Sequence, residues 1–434
     1  MNATQTTRQL GGEQVGPRAQ QLPRLLPPEL ATGPTSLAEH LARSGPLPAV
    51  GRDRRSRQEL IAQVQRSGLT GRGGAGFPTG RKLAAVAAGR NAVVVANGTE
   101  GEPASGKDKV LLARSPHLVL DGAAVAAELV DARRVVIVVH HAVREIVDAA
   151  VAERRRARID RVPVKVVTAA DRFVAGEASA VVHWVEGGRP IPTRRPPRLS
   201  EKGLGGRPTL VQNVETLAHL ALIARRGADW FRAIGTAQEP GSMLVTVLGA
   251  VREPLVVEIA IGTPIQDLIG LAGGASRPLQ ALLLGGYFGS WVSSETAAPL
   301  PFSSAGLADT GADLGAGLVA ALPADACGLV ETARVVRYLA DESAGQCGAC
   351  VFGLAAVAGE LDRIVHSGTA DLSTLHRWLG QIDGRGACSL PDGAVRLIRS
   401  ALTVFERELH QHARGRCSAT ATASVLPIPP RRQS

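Results

Sequence analysis

Aromatic residues are scarce in this chain: seven Phe, four Trp and two Tyr make up 3% of 434 residues. A core of this size must therefore be filled by Ala, Val and Leu, and the hydrophobic content of 45% is enough to do so. No apolar run reaches the ~20 residues of a membrane span. The first thirty residues lack a charged-then-apolar leader pattern, so the expectation is a cytoplasmic protein. Cysteine is sparse and odd in number, at 327, 347, 350, 388 and 417. That argues against a disulfide framework and for a metal or cluster site toward the C-terminal end. Acidic residues are outnumbered, giving a net charge of +10. No basic stripe carries interleaved aromatics, which excludes a nucleic-acid partner. The basic clusters at Arg52–Arg55, Arg154–Arg156 and Arg194–Arg195 read as solvated surface, the sharper reading being an acidic partner or a membrane surface.

What is abundant is glycine, and it concentrates at Gly71-Arg72-Gly73-Gly74-Ala75-Gly76-Phe77-Pro78-Thr79-Gly80-Arg81-Lys82. Glycine lets backbone approach a ligand closely and adopt positive φ. Successive free N–H groups can form a nest for an anion, with Arg72 and Lys82 adding positive charge. The bland alternative is a glycine-rich turn without a ligand. The stretch is not a G-x-x-x-x-G-K-[ST] loop, because Leu83 follows Lys82. It fits G-x-G-x-x-G by letter, but the preceding segment 57–67 reads as helix, where a Rossmann fingerprint needs a strand.

Around this loop the pattern alternates. Residues 1–50 show no sustained period and read as a mobile arm. Ser56-Arg57-Gln58-Glu59 has capping-box form and opens a helix. Apolar runs at 92–96, 135–139 and 164–167 predict buried strands, and the spacing predicts helices over 110–130 and 142–152. This order implies a parallel sheet covered on both faces, with ligands at the carboxyl ends of its strands. Short β-rich runs follow at 243–248, 255–259 and 282–284, with a helix at 265–271. From Leu329 the chain turns helical, and from about Arg414 it reads as a frayed tail.

The glycine stretch resembles the flavin loop G-R-G-G-A-G-F-P-T-G-x-K of one family: the NADH-binding flavoprotein subunit of respiratory complex I and its relatives in soluble hydrogenases and formate dehydrogenases. Asn97-Gly98-Thr99-Glu100-Gly101-Glu102-Pro103 resembles that family's N-A-D-E-x-E-P, and Lys107-Asp108 its K-D. Gly176-Glu177 matches part of its G-E-E. The stretch from Gly206 to Leu217, with Gln212, Asn213 and Thr216, resembles G-K-P-T-x-x-N-N-V-E-T-L. The resemblance covers roughly residues 55–410. It implies an α/β fold: a Rossmann-like parallel-sheet FMN domain (51–235), a β-grasp, ubiquitin-like SLBB domain (236–325) and a helical iron–sulfur-type bundle (326–413), between the arm (1–50) and the tail (414–434). It implies FMN bound by Gly71, Arg72, Gly73, Gly74, Gly76, Phe77, Lys82, Asn97, Glu100, Glu102, Gly176, Glu177, Gln212, Asn213 and Thr216. Glu100 and Glu177 are the candidate catalytic residues. Singly, each acidic residue reads as a helix cap or surface charge.

The same resemblance implies an iron–sulfur cluster on Cys347, Cys350 and Cys388, but the family's first cysteine is Ala344 here. Three outcomes stay open: a 4Fe–4S cluster with water, Asp341, Cys327 or Cys417 as fourth ligand; a 3Fe–4S cluster; or no cluster. Zinc on the C-x-x-C pair would also lack a clear fourth ligand. Other family positions are altered too, at Ala85, Thr99, Ala178 and Arg198, so the flavin shell is better kept than the dinucleotide shell. The implied function is NAD(P)H oxidation through FMN toward an iron–sulfur centre or ferredoxin-type acceptor. The alternative is a non-catalytic accessory or electron-relay subunit. The implied partners are an iron–sulfur electron-transfer protein and a membrane-bound redox partner, with the protein peripheral to the inner face of the membrane. A ligand at the β-grasp domain would rest on fold analogy alone.

Overall fold

The computed structural model describes residues 22–27, 33–51, 53–193, 197–367, 371–421 and 423–430. Its first sheet is built from β1 (Ala92–Gly98), β2 (Ala132–Val139), β3 (Val164–Thr168) and β4 (Thr209–Asn213), in the order β3-β2-β1-β4 and parallel throughout. Val93, Val94, Val95 and Ala96 are fully buried, as a strand covered on both faces requires. Helices α1 (Leu37–Ser44), α2 (Arg54–Ser67), α3 (Thr79–Ala87), α4 (Lys107–Arg114), α5 (Pro116–Leu129), α6 (Arg144–Arg156), α7 (Ala178–Val185), α8 (Val214–Arg226) and α9 (Ala228–Arg232) surround it. The strand β4 is missed by sequence reading. Its polar end, Gln212-Asn213, breaks the apolar run, yet it pairs with β1 so that Asn97 lies beside Asn213.

The helix expected over 110–130 is two helices. α4 and α5 meet at 96° around Ser115-Pro116, because proline has no N–H and fits only the first turn of a new helix. No single described helix is long and apolar enough to cross a membrane. The expected capping box at Ser56–Glu59 is also corrected. Asp53 is the cap, accepting the N–H of Ser56 at 2.9 Å, while Glu59 pairs with Arg55.

The second sheet contains β5 (Ser242–Gly249), β6 (Leu255–Ala260), β7 (Leu279–Leu284), β8 (Ser290–Ser293) and β9 (Leu318–Pro323), in the order β6-β5-β9-β7-β8. β5 and β9 are parallel at its centre, and the other pairs are antiparallel. α10 (Ile265–Leu271) covers one face through Ile265 and Leu268, and α11 (Ser294–Ala297) and α12 (Ser304–Leu307) close its edge. The other face carries the C-terminal helices α13 (Gly328–Asp341), α14 (Ala355–Ser367), α15 (Leu372–Ile382), α16 (Leu390–Val404) and α17 (Glu406–His412). Scarce aromatics gather at this junction: Trp291 packs edge-on against Phe405 and donates to Thr332 Oγ1 at 3.0 Å. The fold is thus a Rossmann-like parallel-sheet domain, an SLBB-type β-grasp unit and a helical bundle.

Both termini are more firmly held than expected. Of the N-terminal arm, residues 1–21 and 28–32 lie outside the described residues. Leu25, however, is fully buried, and the N–H groups of Arg24 and Leu25 both donate to Glu258 Oε2 at 2.7 Å. In the tail, Leu426 is buried, and the N–H groups of Val425 and Leu426 donate to the Glu331 carboxylate. Local sequence carried no sign of either contact, since both partners lie far along the chain. One expected surface arginine is also a core residue: Arg154 is fully buried, paired at 2.7 Å with both Asp121 and Asp160. Arg52 and Arg194–Arg195 lie outside the described residues.

Candidate functional site

The glycine loop lies over the carboxyl ends of β1 and β4. Gly71 N–H donates to Phe77 O at 2.9 Å and closes the loop, and Arg72 N–H donates to Thr216 Oγ1 at 2.8 Å, which fastens it to α8. Gly74 (φ +102°) and Gly76 (φ +59°) occupy the left-handed region. A Cβ at Gly73 would meet the Asn213 side chain at 3.3 Å. The N–H groups of residues 73–76 take no partner among the described residues. Phe77 stands half exposed beside them.

The two cations of the stretch behave differently. Arg72 is buried, its guanidinium donating to Thr70 Oγ1 at 3.0 Å and to Ser242 O at 3.3 Å. Burial pulls its pKa down, and the side chain ties the loop to β5. Lys82 donates to Val211 O at 2.9 Å and has no carboxylate partner among the described residues. Burial lowers its pKa as well, which leaves an ammonium short of a counter-ion.

The acidic residues first serve the backbone. Glu100, at φ +47°, accepts Asp108 N–H at 2.9 Å and Lys109 N–H at 3.0 Å, capping α4, and also accepts Ser105 Oγ at 2.7 Å. Burial opposes its charge, yet Lys109 Nζ at 2.8 Å and nearby Lys107 hold its carboxyl below the usual range. Glu177 caps α7 through the N–H groups of Ser179 and Ala180, at 2.8 and 3.0 Å. Glu102 accepts Tyr287 N–H at 2.9 Å, and burial pushes its carboxyl up to about 7. Lys107 bridges Asp108 at 2.7 Å and Glu215 at 2.9 Å, and those carboxylates keep it charged against the cost of burial.

Asn97 Nδ2 donates to Gly176 O at 2.8 Å, so the end of β1 holds the Gly176-Glu177 turn. Asn213 Nδ2 donates to Asp108 Oδ2 at 2.6 Å, and Gln212 Nε2 to Thr79 Oγ1 at 3.2 Å. Thr99 Oγ1, Glu102 Oε1, Gln212 Oε1 and Arg72 Nε are buried at this edge without hydrogen-bond partners among the described residues. A cleft of about 250 Å³ opens on the far flank of the loop, against Glu239, Met243 and Asp313–Gly315. Sequence reasoning assigned none of those second-domain residues to a site, because nothing local marks them. The cleft is smaller than most ligand pockets, and its two carboxylates suit no anion. The sheet edge suits one better.

Cys347 and Cys350 flank a helical turn, with Cys350 N–H donating to Cys347 O at 3.2 Å. Burial, then the neighbouring Cys347 and Cys388, push the Cys350 thiol up to about 12. Burial, ahead of Cys347 and Glu177, raises the Cys388 thiol as well. Ala344 packs into the same region. Glu342 accepts Phe173 N–H at 2.8 Å, and Gln346 donates to Pro192 O at 2.7 Å, clamping the cysteine segment onto the first domain. Cys327 and Cys417, considered from sequence as a fourth ligand, gather elsewhere with Glu408 and His412.

Against known families, a profile described as the Nuo51 FMN-binding domain matches residues 64–222. Residues 331–412 match the NADH-ubiquinone oxidoreductase-F iron-sulfur binding region, and residues 244–285 the SLBB domain. The second of the NADH-quinone oxidoreductase F subunits of Rhizobium meliloti (strain 1021) is 32% identical over 374 residues, covering 82% of this chain and 88% of that one. The chain belongs to the family of NADH-quinone oxidoreductase F subunits. The corresponding F subunit of Streptomyces coelicolor is 31% identical, covering 82% of this chain and 84% of that one. The crystal structure of an NAD+-reducing NiFe-hydrogenase in the air-oxidized state superposes with a TM-score of 0.77 at 28% identity, covering 86% of this chain and 66% of that one.

This member of the family has residues that fit the groups its profiles name. FMN is a phosphate ester with a polar ring. The unpartnered N–H groups at 73–76, the Lys82 ammonium and the orphaned polar atoms of Thr99, Glu102 and Gln212 are what such a ligand would satisfy. Cys347 and Cys350 share one helical turn, and Cys388 packs in the same cluster of side chains. A cluster spreads its thiolates over several irons, and three thiols gathered in one region fit it.

Proposed function

We propose that this protein carries out NAD(P)H-dependent electron transfer served by FMN, ending at an iron–sulfur centre on Cys347, Cys350 and Cys388. One observation carries the reading. The Phe173–Gly176 turn is bonded at one end to Asn97, through Gly176 O at 2.8 Å, and at the other to Glu342 of the cysteine segment, through Phe173 N–H at 2.8 Å, which supports a path between the flavin edge and the cysteines. Bound FMN would supply two-electron acceptance and one-electron release.

The residues of the chain supply position and electrostatics. Gly73, Gly74 and Gly76 would present N–H groups to phosphate and ribityl oxygens from the loop that Gly71 closes, and Lys82 would balance the phosphate charge. Arg72 and Thr216 would hold the loop in place. Gln212, Asn213, Asn97 and Glu102 would line the ring, with Phe77 offering the stacking face for nicotinamide. Glu100 and Glu177 would shape the site through the helices they cap. The acceptor would be an iron–sulfur electron-transfer protein, with a membrane-bound partner beyond it and the chain on the cytoplasmic side. The domain limits expected from the sequence belong to this proposal.

The second reading, an electron relay that keeps FMN but does not oxidise NAD(P)H, draws support from Ala85, Thr99, Ala178, Arg198 and Ala344, which remove stacking faces, charge and a ligand. An anaerobic absorbance titration of FMN-reconstituted protein separates the two. Bleaching of the flavin band by NADH or NADPH within seconds is the expected result. A flavin that only dithionite reduces overturns the enzyme reading in favour of the relay.

A further inference from the structure

We infer that Cys327, Glu408, His412 and Cys417 form a tetrahedral site for one zinc ion, independent of the flavin and iron–sulfur reading. The four come from three separate pieces of chain: the N-cap of α13, two successive turns of α17 and the segment after it. Their ligating atoms all lie within 4.8 Å of one another. His412 Nε2 is 3.4 Å from Cys327 Sγ and 3.4 Å from Glu408 Oε1. Around zinc, with bonds of about 2.3 Å to sulfur and about 2.0–2.1 Å to nitrogen or oxygen, tetrahedral edges come to about 3.6 and about 3.4 Å.

The orientation is as telling as the distances. His412 Nδ1 sits 2.9 Å from Val365 O, a contact only an N–H can make. That places the Nε2 lone pair toward two thiols and a carboxylate. In the metal-free chain a thiol S–H donates to that lone pair, and a zinc ion would displace the thiol protons and take all four groups as ligands. A backbone carbonyl fixing the far nitrogen is also how metal-bound histidines are held. Glu408 is held in turn by Ser418 N–H at 2.9 Å.

Two thiolates with an imidazole select zinc over harder cations, and four protein ligands leave no open position. The site is therefore structural. It pins the last segment to the bundle just before the chain crosses back to Asp325 O, which accepts the N–H groups of Thr420 and Ala421 at 3.0 and 2.9 Å. The bland alternative is an i,i+4 Glu–His pair beside two unrelated cysteines. It leaves unexplained why the Sγ of Cys417, an exposed residue, lies within 4.8 Å of the other three ligating atoms.

The test is anaerobic titration of full-length protein with cobalt(II), and separately zinc analysis of protein purified with zinc. One equivalent of cobalt with thiolate charge-transfer and tetrahedral d–d bands is expected, and it should persist in the triple variant C347S/C350S/C388S. C417S, which alters an exposed residue and should leave the fold intact by circular dichroism, should lose affinity by more than the about 10–100-fold that an outer-shell change costs. Absence of these bands in the wild type overturns the proposal. So does cobalt binding that survives C417S and H412A, binding that vanishes in the triple variant, or a Cys327–Cys417 disulfide found by mass analysis of anaerobically purified protein.

Discussion

The carboxylate of Glu102 accepts the backbone N–H of Tyr287 at 2.9 Å, although the two residues stand 185 positions apart. The bond joins the loop after β1 to the turn between β7 and β8, and with it the parallel sheet to the β-grasp sheet. A Cβ at neighbouring Gly286 would come within 2.8 Å of the same carboxylate, so only glycine permits the approach.

Glu102 should make stability depend on pH. Its carboxyl is raised from 4.5 to about 7, chiefly by burial. A raised carboxyl favours folding below its unfolded pKa, and that advantage is lost as pH rises through the folded value. The loss amounts to about 3 kcal/mol once pH exceeds 7. Glu102→Gln keeps the acceptor for Tyr287 and removes the charge. Its melting temperature should match the wild type near pH 4.5 and exceed it at pH 8. Parallel pH profiles for the two proteins would show that burial of this charge carries no cost.

Glu100 caps α4 and closes a four-bond set with Ser105, Asp108 and Lys109. Glu100→Ala should lower the stability of flavin-free protein by about 1–3 kcal/mol, since a cap and buried donors are lost together. Thermal melts without FMN read this directly. An unchanged apoprotein would mean that Glu100 acts only on bound ligand.

Lys107 reaches buried Glu215 with its ammonium and pairs with Asp108 beside it. Lys107→Met should destabilise the protein by about 3–5 kcal/mol by stranding two carboxylates. Burial raises the Asp108 carboxyl to about 6 even beside Lys107, so denaturant unfolding should show the loss grow above that pH, where Asp108 would ionise. A loss independent of pH would point to packing instead.

Lys82 should bind phosphate rather than flavin ring. Lys82→Met is expected to weaken FMN by roughly 10–100-fold, the worth of one charged hydrogen bond of about 1.5–3 kcal/mol. Riboflavin, which has no phosphate, should bind wild type and variant alike. Fluorescence quenching titrations measure both, and an equal loss for the two ligands would place Lys82 elsewhere.

Ala344 occupies the position of a missing ligand. Ala344→Cys should raise iron per chain in anaerobically reconstituted protein, and Cys350→Ser should lower it. Iron content with electron paramagnetic resonance follows both. Iron unchanged by Ala344→Cys would mean that the fourth donor comes from outside this segment.

The parallel sheet was legible because its evidence is local. Three runs of β-branched residues separated by helical spacing admit few other arrangements. The glycine loop was legible for the same reason, since conformational permission is a property of the residue itself. β4 was not, because its polar end belongs to the site rather than to the core. The break at Pro116 was written in the sequence, but the apolar residues on either side masked it.

By itself, then, the sequence determined the family, three of the four strands of the parallel sheet, and the glycine loop and three cysteines on which the proposed function rests. Tertiary structure alone decided what the charged side chains do. It made a core residue of Arg154, a clasp between sheets of Glu102, and one cluster of Cys327, Glu408, His412 and Cys417. Periodicity and turn chemistry act over a few residues. These contacts close loops of tens to hundreds of residues, and only the packing of the elements brings their partners together.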